Sequence, residues 1–535
     1  MTALTGTVQL VRLILRRDRI VLPLWILFLA VIPIVYVSSF NGLFPTAAER
    51  QEYAQISMHN AGFVALYGPL FGSSLGQLVA WRAGFIPVVI GLISILTVIR
   101  HTRVEEETGR RELLGSTVVG RHAGLAAALL VACGANLVLG VLMALGLIAE
   151  GLPLAGSSAF GLEMAASGWA FAGVAAVAAQ LTSGAGSARA LAIVTLGAAY
   201  VLRLAGDVSG IHGGGLAWLS WLSPIGWVHR LRPFAGEQWW PALLALGFTA
   251  ALSLAAGFLE ARRDIGAGLL PPRLGPAQAS PGLRSPLALA WRLHRGLLAG
   301  WVAGFAVLGV VFGAVAKDVG SLMAENTSLQ DVLARLGGSS GIIDGYLAST
   351  MSILGLIAAG YAIQAALRLR GEETSGRVEP LLSTAASRLG WAGSHLAFAL
   401  LGPAAALAAA GLATGVVYGL DAGDVAGQVP RVLAGALVQL PAVWVLAGVA
   451  VVLFGLLPRF TAVSWAVLAG CLFLLLVGAA VQLDKRIMDL SPFTHIPHLP
   501  GGALSATPLV LLTLLAALLT LAGLAGLRRR DIPAA

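Results

Sequence analysis

The chain has 535 residues, 58% of them hydrophobic and only 11% charged, with a mean hydropathy of +0.86. A soluble domain carries about a quarter charged residues, so the composition excludes a soluble globular protein and indicates a polytopic membrane protein. The formal net charge of +9 would suit nucleic acid, but the basic residues gather in one set of loops, as membrane orientation requires, and no nucleic-acid partner is expected.

Each spanning helix needs about 20 mostly apolar residues, because every backbone polar group must be satisfied inside hydrocarbon. The opening segment, residues 2–19, carries Arg12, Arg16, Arg17 and Arg19. It lacks the apolar core and small-residue cleavage site of a signal peptide. It reads either as an interfacial helix on the inner leaflet or as a basic flank of the first span. Six apolar runs follow, at 20–37, 78–99, 123–148, 161–181, 188–205 and 240–259. The loop before the last of these holds Trp218, Trp221, Trp227, Trp239 and Trp240, which suit interfacial anchoring, with room for a short re-entrant hairpin around Ser223-Pro224. Residues 266–286 contain Pro271, Pro272, Pro276, Pro281 and Pro286 and read as a linker without a fold of its own. Residues 285–295 repeat the basic, partly apolar character of the N-terminus, and six more runs follow at 296–315, 346–367, 391–418, 429–457, 461–483 and 506–527.

The expected architecture is therefore all-α: about twelve spans as two fused six-helix repeats, residues 1–265 and 287–535, joined by the linker 266–286. Alternate loops sort by charge, with Arg100, Arg103, Arg110, Arg111, Arg262 and Arg263 on one side and Glu49, Glu52, Asp207, Asp421 and Asp424 on the other. The basic side is cytoplasmic by the positive-inside rule, placing both termini in the cytoplasm. Six spans is an even number, so both halves share one orientation about an axis along the membrane normal.

Three landmarks recur in the same order. Glu105-Glu106, Gly109-Arg110, Glu112, Leu114 and Ser116-Thr117 match Glu372-Glu373, Gly376-Arg377, Glu379, Leu381 and Ser383-Thr384, with Arg121 and Arg388 extending the match. Leu222-Ser223-Pro224 matches Leu490-Ser491-Pro492, and Arg262-Arg263-Asp264-Ile265 matches Arg529-Arg530-Asp531-Ile532. Such recurrence indicates a duplicated unit. The first landmark is polar and lies between apolar runs, so bilayer solubility alone does not account for it. A solvated loop that only fixes topology would explain the charge, but not the repeated Gly, Leu and Ser-Thr. A twice-presented docking knob explains both.

Other chemistry is sparse. A phosphate-cradling loop needs Gly-x-x-x-x-Gly-Lys-Ser/Thr, and neither of the two lysines, Lys317 and Lys485, follows a glycine. Ionisable residues within the spans are few, with Arg203, Glu150 and Glu163 at outer ends. Asn136, Gln180, Gln364 and Gln439 suit hydrogen bonds between helices. His212, His229, His495 and His498 read as surface histidines without metal-ligand spacing. Cys133 and Cys471 fall in apolar runs and read as buried small hydrophobes.

The duplicated motif, placed between a second and a third span, resembles the coupling-helix loop of ABC-2-type transporter permeases. The fused form with two such loops resembles actinobacterial exporters of polyketide antibiotics, of the tetronasin-resistance and mycobacterial multidrug efflux type. The resemblance implies a permease subunit in the plasma membrane that exports amphipathic drugs, antibiotics or lipids. It has no cofactor or catalytic residue of its own. ATP and Mg would belong to a separate ABC ATPase, expected in two copies. Glu105, Glu106, Gly109, Arg110 and Glu112 would contact one ATPase, and Glu372, Glu373, Gly376, Arg377 and Glu379 the other. Leu113 stands opposite Pro380 and Glu107 opposite Thr374, so the two docking sites need not be equivalent. The resemblance also places the pathway near residues 85–96 and 191–202 and their repeats. The alternatives are an ion-coupled secondary carrier and a membrane-embedded lipid-modifying enzyme; the latter needs a polar catalytic cluster that the sequence does not show.

Overall fold

The computed structural model describes residues 3–211, 213–270, 277–278, 281–324, 338–475 and 484–531. Every regular element among them is a helix. Eleven of these helices are long and apolar enough to cross a membrane. The chain divides into two compact units, Met1–Gly275 and Pro276–Ala535.

In the first unit, α1 (Thr7–Arg17) precedes α2 (Val21–Leu43), and three short helices, α3 (Ala47–His59), α4 (Ala61–Tyr67) and α5 (Leu75–Arg82), lead to α6 (Ile86–His101). Two short helices, α7 (Arg103–Glu107) and α8 (Arg110–Gly115), form an elbow before α9 (Ala123–Ala149). Then come α10 (Leu154–Leu181), α11 (Ala185–Ile211), the short α12 (Pro224–His229) and α13 (Trp240–Ala261). Helix α10 is the axis of the unit, packed by α6, α9, α11 and α13. Small residues let it in: a Cβ on Gly161 would lie 2.3 Å from the Gly140 carbonyl oxygen of α9. Backbone approach of this kind is how helices associate where lipid offers no hydrophobic driving force.

The second unit runs α14 (Pro286–Ala324), α15 (Gly338–Ala366), an elbow of α16 (Arg368–Thr374) and α17 (Val378–Leu382), then α18 (Arg388–Ala422), α19 (Val425–Leu437), α20 (Leu440–Leu456), α21 (Val463–Phe473) and, last, α22 (Ala506–Arg529). Gly455 of α20 and Gly523 of α22 make the same kind of contact.

The structure departs from the sequence expectations in four places. The run 78–99 is two helices, α5 and α6: α5 ends at Arg82, α6 opens with Pro87 in its first turn, and Gly84 between them lies against the Tyr67 carbonyl where a Cβ would come within 1.9 Å. The run 429–457 is two helices, broken at Val438 and Gln439 just before Pro441. The run 461–483 is described only as the 11-residue α21, residues 476–483 lying outside the described residues. Finally, the first basic flank is a separate helix and the second is not. Asp18 ends α1 in a non-helical conformation, and its carboxylate is held by Arg100 (3.0 Å) and His101 (2.6 Å). In the second unit the flank is not broken off: Ser285 caps the start of a continuous 39-residue α14, accepting from the Ala288 N–H at 3.2 Å. In the linker, 271–276 and 279–280 lie outside the described residues.

The region around Ser223 folds as a short turn pair tucked into the first unit. Ser223 accepts hydrogen bonds from the N–H groups of Ile225 and Gly226, and Pro224, Ile225, Gly226, Val228 and His229 of α12 are buried. Ser491 caps Phe493 in the same way. Trp221 stacks on Trp240 with ring centroids 5.4 Å apart.

Candidate functional site, two arginine-clasped elbows

Each elbow is built from the duplicated motif. The short helix ends in a glycine with positive φ, 69° at Gly109 and 68° at Gly376, a conformation that disfavours a side chain. The second short helix follows at once and ends in a Ser-Thr pair whose hydroxyls turn back on the chain. Ser116 and Thr117 donate to the Leu113 and Leu114 carbonyls at 2.7 and 2.6 Å; Ser383 and Thr384 donate to those of Pro380 and Leu381 at 2.8 and 2.7 Å. These bonds compete with continued helix and end α8 and α17 at corresponding points.

The second glutamate of each motif is buried. Glu106 is gripped by Arg263 in a two-pronged pair of 2.6 and 2.9 Å, and also meets Arg103 at 2.6 Å and Arg111 at 3.0 Å. Glu373 is gripped by Arg530 in the same manner at 2.7 and 2.9 Å, with Arg370 at 3.6 Å. Both pairs join residues 157 positions apart. Two of the three landmarks therefore meet in space: the elbow glutamate and the arginine after the last helix. Bidentate geometry of this kind is stronger and more directional than a point-charge contact. The outlying arginines complete the clasp. Arg121 donates to the Glu260 and Arg263 carbonyls (2.9 and 3.1 Å) and Arg388 to the Arg530 carbonyl (2.9 Å), satisfying carbonyls a helix C-terminus leaves open.

Beyond this shared frame the copies diverge. In the first, Arg111 bridges Glu106 and Glu260, and His122 meets Glu260 at 2.8 Å. The positions of Arg111 and Glu260 are Val378 and Leu527 in the second copy, which pack in an apolar cluster with Leu369, Trp391 and Phe454. Arg263 takes Gln180 of α10 as its second partner at 2.7 Å, whereas Arg530 lies over the Phe454 ring of α20 at 4.8 Å. Arg103 donates to the Thr182 and Ala267 carbonyls, and Glu107 accepts the Ala185 N–H at 2.7 Å, capping α11. A cavity of about 450 Å³ lies between α1 and the first elbow, lined by Leu10, Leu13 and Ile14 on one wall and Leu114, Val119 and Arg121 on another.

The ten motif residues thus sort by position. Glu106 and Glu373 are interior. Glu105 and Glu372 are partly buried, the first paired with Arg17 (2.8 Å) and Arg110 (3.4 Å), the second with Arg368 (3.7 Å). Gly109 and Gly376 form the bend, and Arg110, Glu112, Arg377 and Glu379 are exposed beside Leu113 and Pro380. The expectation that the motif is exposed throughout is corrected for both interior glutamates. Arg103, Gln180, Glu260, Arg263 and Arg530 belong to the site although the motif did not include them. The signal for the last pair was present, since both arginine landmarks recur at the motif's own offset.

At the opposite end of α10 and α11, further expectations are corrected. Arg203 is fully buried, donating to the Val64 and Leu66 carbonyls at 3.0 and 3.3 Å beside Asp207. His229 is buried, not superficial; its Nε2 faces the Gly84 carbonyl at 3.1 Å and Glu163 at 3.8 Å. Burial, reinforced by Arg203 and Arg230, pushes the His229 imidazole down to about 3. His495 and His498 are exposed, and His212 lies outside the described residues. Asn136 bonds Ser94 across helices at 2.9 Å, as packing predicts; Gln364 is exposed and Gln439 buried. Residues 85–96 run along α6 from the break, and 191–202 lie within α11, where Val194 and Val201 are exposed. Among the described residues no three His, Cys, Asp or Glu converge as a metal set.

An all-helical, multipass chain that carries two copies of one charged elbow is the frame of a membrane permease. It matches the family model described as multidrug efflux system permease Rv1217c, C-terminal domain, over residues 9–262 and 283–528. It is 46% identical over 529 residues to the multidrug efflux system permease protein Rv1217c of Mycobacterium tuberculosis, covering 99% of this chain and 95% of that relative. The chain belongs to this family of multidrug efflux permeases.

Proposed function

We propose that the chain is the membrane subunit of an ABC-2-type exporter, similar to the fused actinobacterial drug and antibiotic exporters, and that a separate pair of ATPases docks on its two elbows. The observation that carries this is the duplicated construction. Each elbow is clasped to the end of the last helix of its unit and to the fourth long helix, leaving Arg110, Glu112 and Leu113 in one, and Arg377, Glu379 and Pro380 in the other, on the outside. A knob fixed from within and polar on its outer edge suits transmission of a push from a partner. Glu106 and Glu373 then act as positioning residues, and the docking edge is the exposed row. The elbows and both termini face the cytoplasm in this reading; ATP and Mg reside in the partner, and the cargo is an amphipathic drug or lipid. The relative's designation as a multidrug efflux permease supports the cargo class and the outward direction.

Co-expression with the P-loop ATPase encoded nearest the permease tests the reading. Arg110→Glu with Glu112→Lys, and Arg377→Glu with Glu379→Lys, should each reduce recovery of the ATPase on affinity-tagged permease without lowering the yield of folded permease. Wild-type recovery and drug transport in both would sink it.

One observation favours a second reading, ion-coupled carriage. Glu163 is buried inside α10, the kind of intramembrane carboxyl a proton carrier uses. Transport into inside-out vesicles separates the two. Dependence on ATP that survives an uncoupler supports the exporter; loss with the uncoupler alone supports the carrier.

A further inference from the structure

Helix α1 has two unlike faces. Leu10, Val11 and Ile14 pack inward, with Ile14 buried. Outward lie Val8, Arg12, Leu15 and Arg16, followed past the helix end by Arg19, all exposed. Among the described residues Arg12, Arg16 and Arg19 make no ion pair. Helix α2, long and apolar enough to span, begins at Val21, so chain connectivity holds α1 at the bilayer surface. An arc of exposed Val and Leu beside unpaired arginines is the pattern of a helix that seats apolar side chains at the acyl boundary and its cations among phosphates.

This helix is also wired to the first elbow. Before it, the Ala3 and Thr5 carbonyls accept from the N–H groups of His122 and Gly120 at 3.0 and 2.8 Å. At its end, Arg17 pairs with Glu105, which in turn pairs with Arg110 of the exposed edge. Asp18 holds Arg100 and His101 at the end of α6. Between α1 and the elbow lies the 450 Å³ cavity, which Arg17 and Glu105 also line. Among the described residues the second elbow has no such link: Glu372 pairs within its own helix, with Arg368.

We propose that the outward face of α1 is a docking surface for the anionic headgroups of the bilayer's phospholipids, and that headgroup charge is relayed through Arg17 and Glu105 to the first elbow alone. The lipid contact is independent of the ATPase reading. Only the consequence of the relay, a change in the docking edge, rests on that reading, and the experiment below needs no ATPase.

The full-length permease is placed in nanodiscs of phosphatidylcholine, with or without phosphatidylglycerol, and amide hydrogen exchange is followed in residues 7–17, 103–115 and 370–384. Phosphatidylglycerol should slow exchange in 7–17 and 103–115 and leave 370–384 unchanged. Replacing Arg12, Arg16 and Arg19 together by Gln should abolish both effects, the three cations being worth about a hundredfold in the local opening equilibrium. Replacing the same three by Lys should retain them. Arg17→Gln should keep the effect in 7–17 and lose it in 103–115. Insensitivity of 7–17 to phosphatidylglycerol in the wild type, an undiminished response in the triple Gln variant, or an equal response in 370–384 would overturn the proposal.

Discussion

Arg263 reaches Glu106 across 157 residues of chain and holds both carboxylate oxygens, at 2.6 and 2.9 Å. The pair ties the end of the last helix of the first unit to the loop between its second and third long helices. Its repeat, Arg530 on Glu373, does the same in the second unit. A glutamate that reads as an exposed contact in the sequence is thus the pin about which each elbow is set.

Removing that pin should be costly. Glu106→Gln leaves Arg103, Arg111 and Arg263 partly unpaired, and breaking a buried pair from one side costs about 3–5 kcal/mol. Glu373→Gln, with fewer arginines around it, should cost less. Thermal unfolding of the purified permease in detergent should rank the variants in that order, and equal midpoints for both and the wild type would refute the structural assignment.

The two units suggest an exchange. Arg111→Val or Glu260→Leu alone leaves a charge without a main partner and should destabilise. Together they reproduce the apolar pair Val378 and Leu527 of the second unit. Well-packed apolar replacements of buried ion pairs are often neutral or better, so the double variant should recover at least about 1 kcal/mol of the summed single losses. A double-mutant cycle on unfolding midpoints measures this; strict additivity would contradict it.

Acid should loosen the region around α12. The imidazole of His229 is pushed by burial from an unfolded value of about 6.5 down to about 3. Its folded value lies below its unfolded one, so its contribution is complete above about pH 6.5 and is lost as pH falls toward 3. His229→Gln keeps an N–H donor for Gly84 and removes the titration. Unfolding temperature across that range should fall less steeply in the variant than in the wild type. Parallel profiles would show that another group governs the acid limb.

Reversing exposed charge should separate partner contact from stability. Arg110→Glu and Arg377→Glu lie on the outer edges of the elbows and should move stability by no more than about 0.5 kcal/mol, while each weakens ATPase recovery. Leu113 and Pro380 differ in shape and in the backbone they allow, so the two losses should be unequal. A large fall in unfolding temperature without loss of recovery would reverse the assignment of these residues.

What the sequence made legible was local. Long apolar runs marked the membrane helices, and the repeated Leu-Ser-Pro landmark located both short turns, though not the capping by Ser223 and Ser491. The break after Arg82 had one local signal, Pro87 in the first turn of α6, but the contact of Gly84 with Tyr67 was not legible. Asp18 looked like one more charge in a basic flank; only its grip on Arg100 and His101 shows why the chain bends there. In the elbows, motif spacing located the residues, but the interior place of Glu106 depends on Arg263 and Gln180. Repetition of the Arg-Arg-Asp-Ile landmark was the available clue to the first of these; the second read only as an amide suited to bonding between helices, with nothing to name its partner.

The 39 unbroken residues of α14 give a rod about 58 Å long at 1.5 Å per residue, nearly twice the roughly 30 Å of hydrocarbon it would cross. The first unit covers its corresponding stretch with two pieces joined at Asp18. That joint is itself tied to the end of α6 through Arg100 and His101. The first unit thus meets the membrane with a bend fixed in place, the second with a rod that overhangs the hydrocarbon by tens of ångströms.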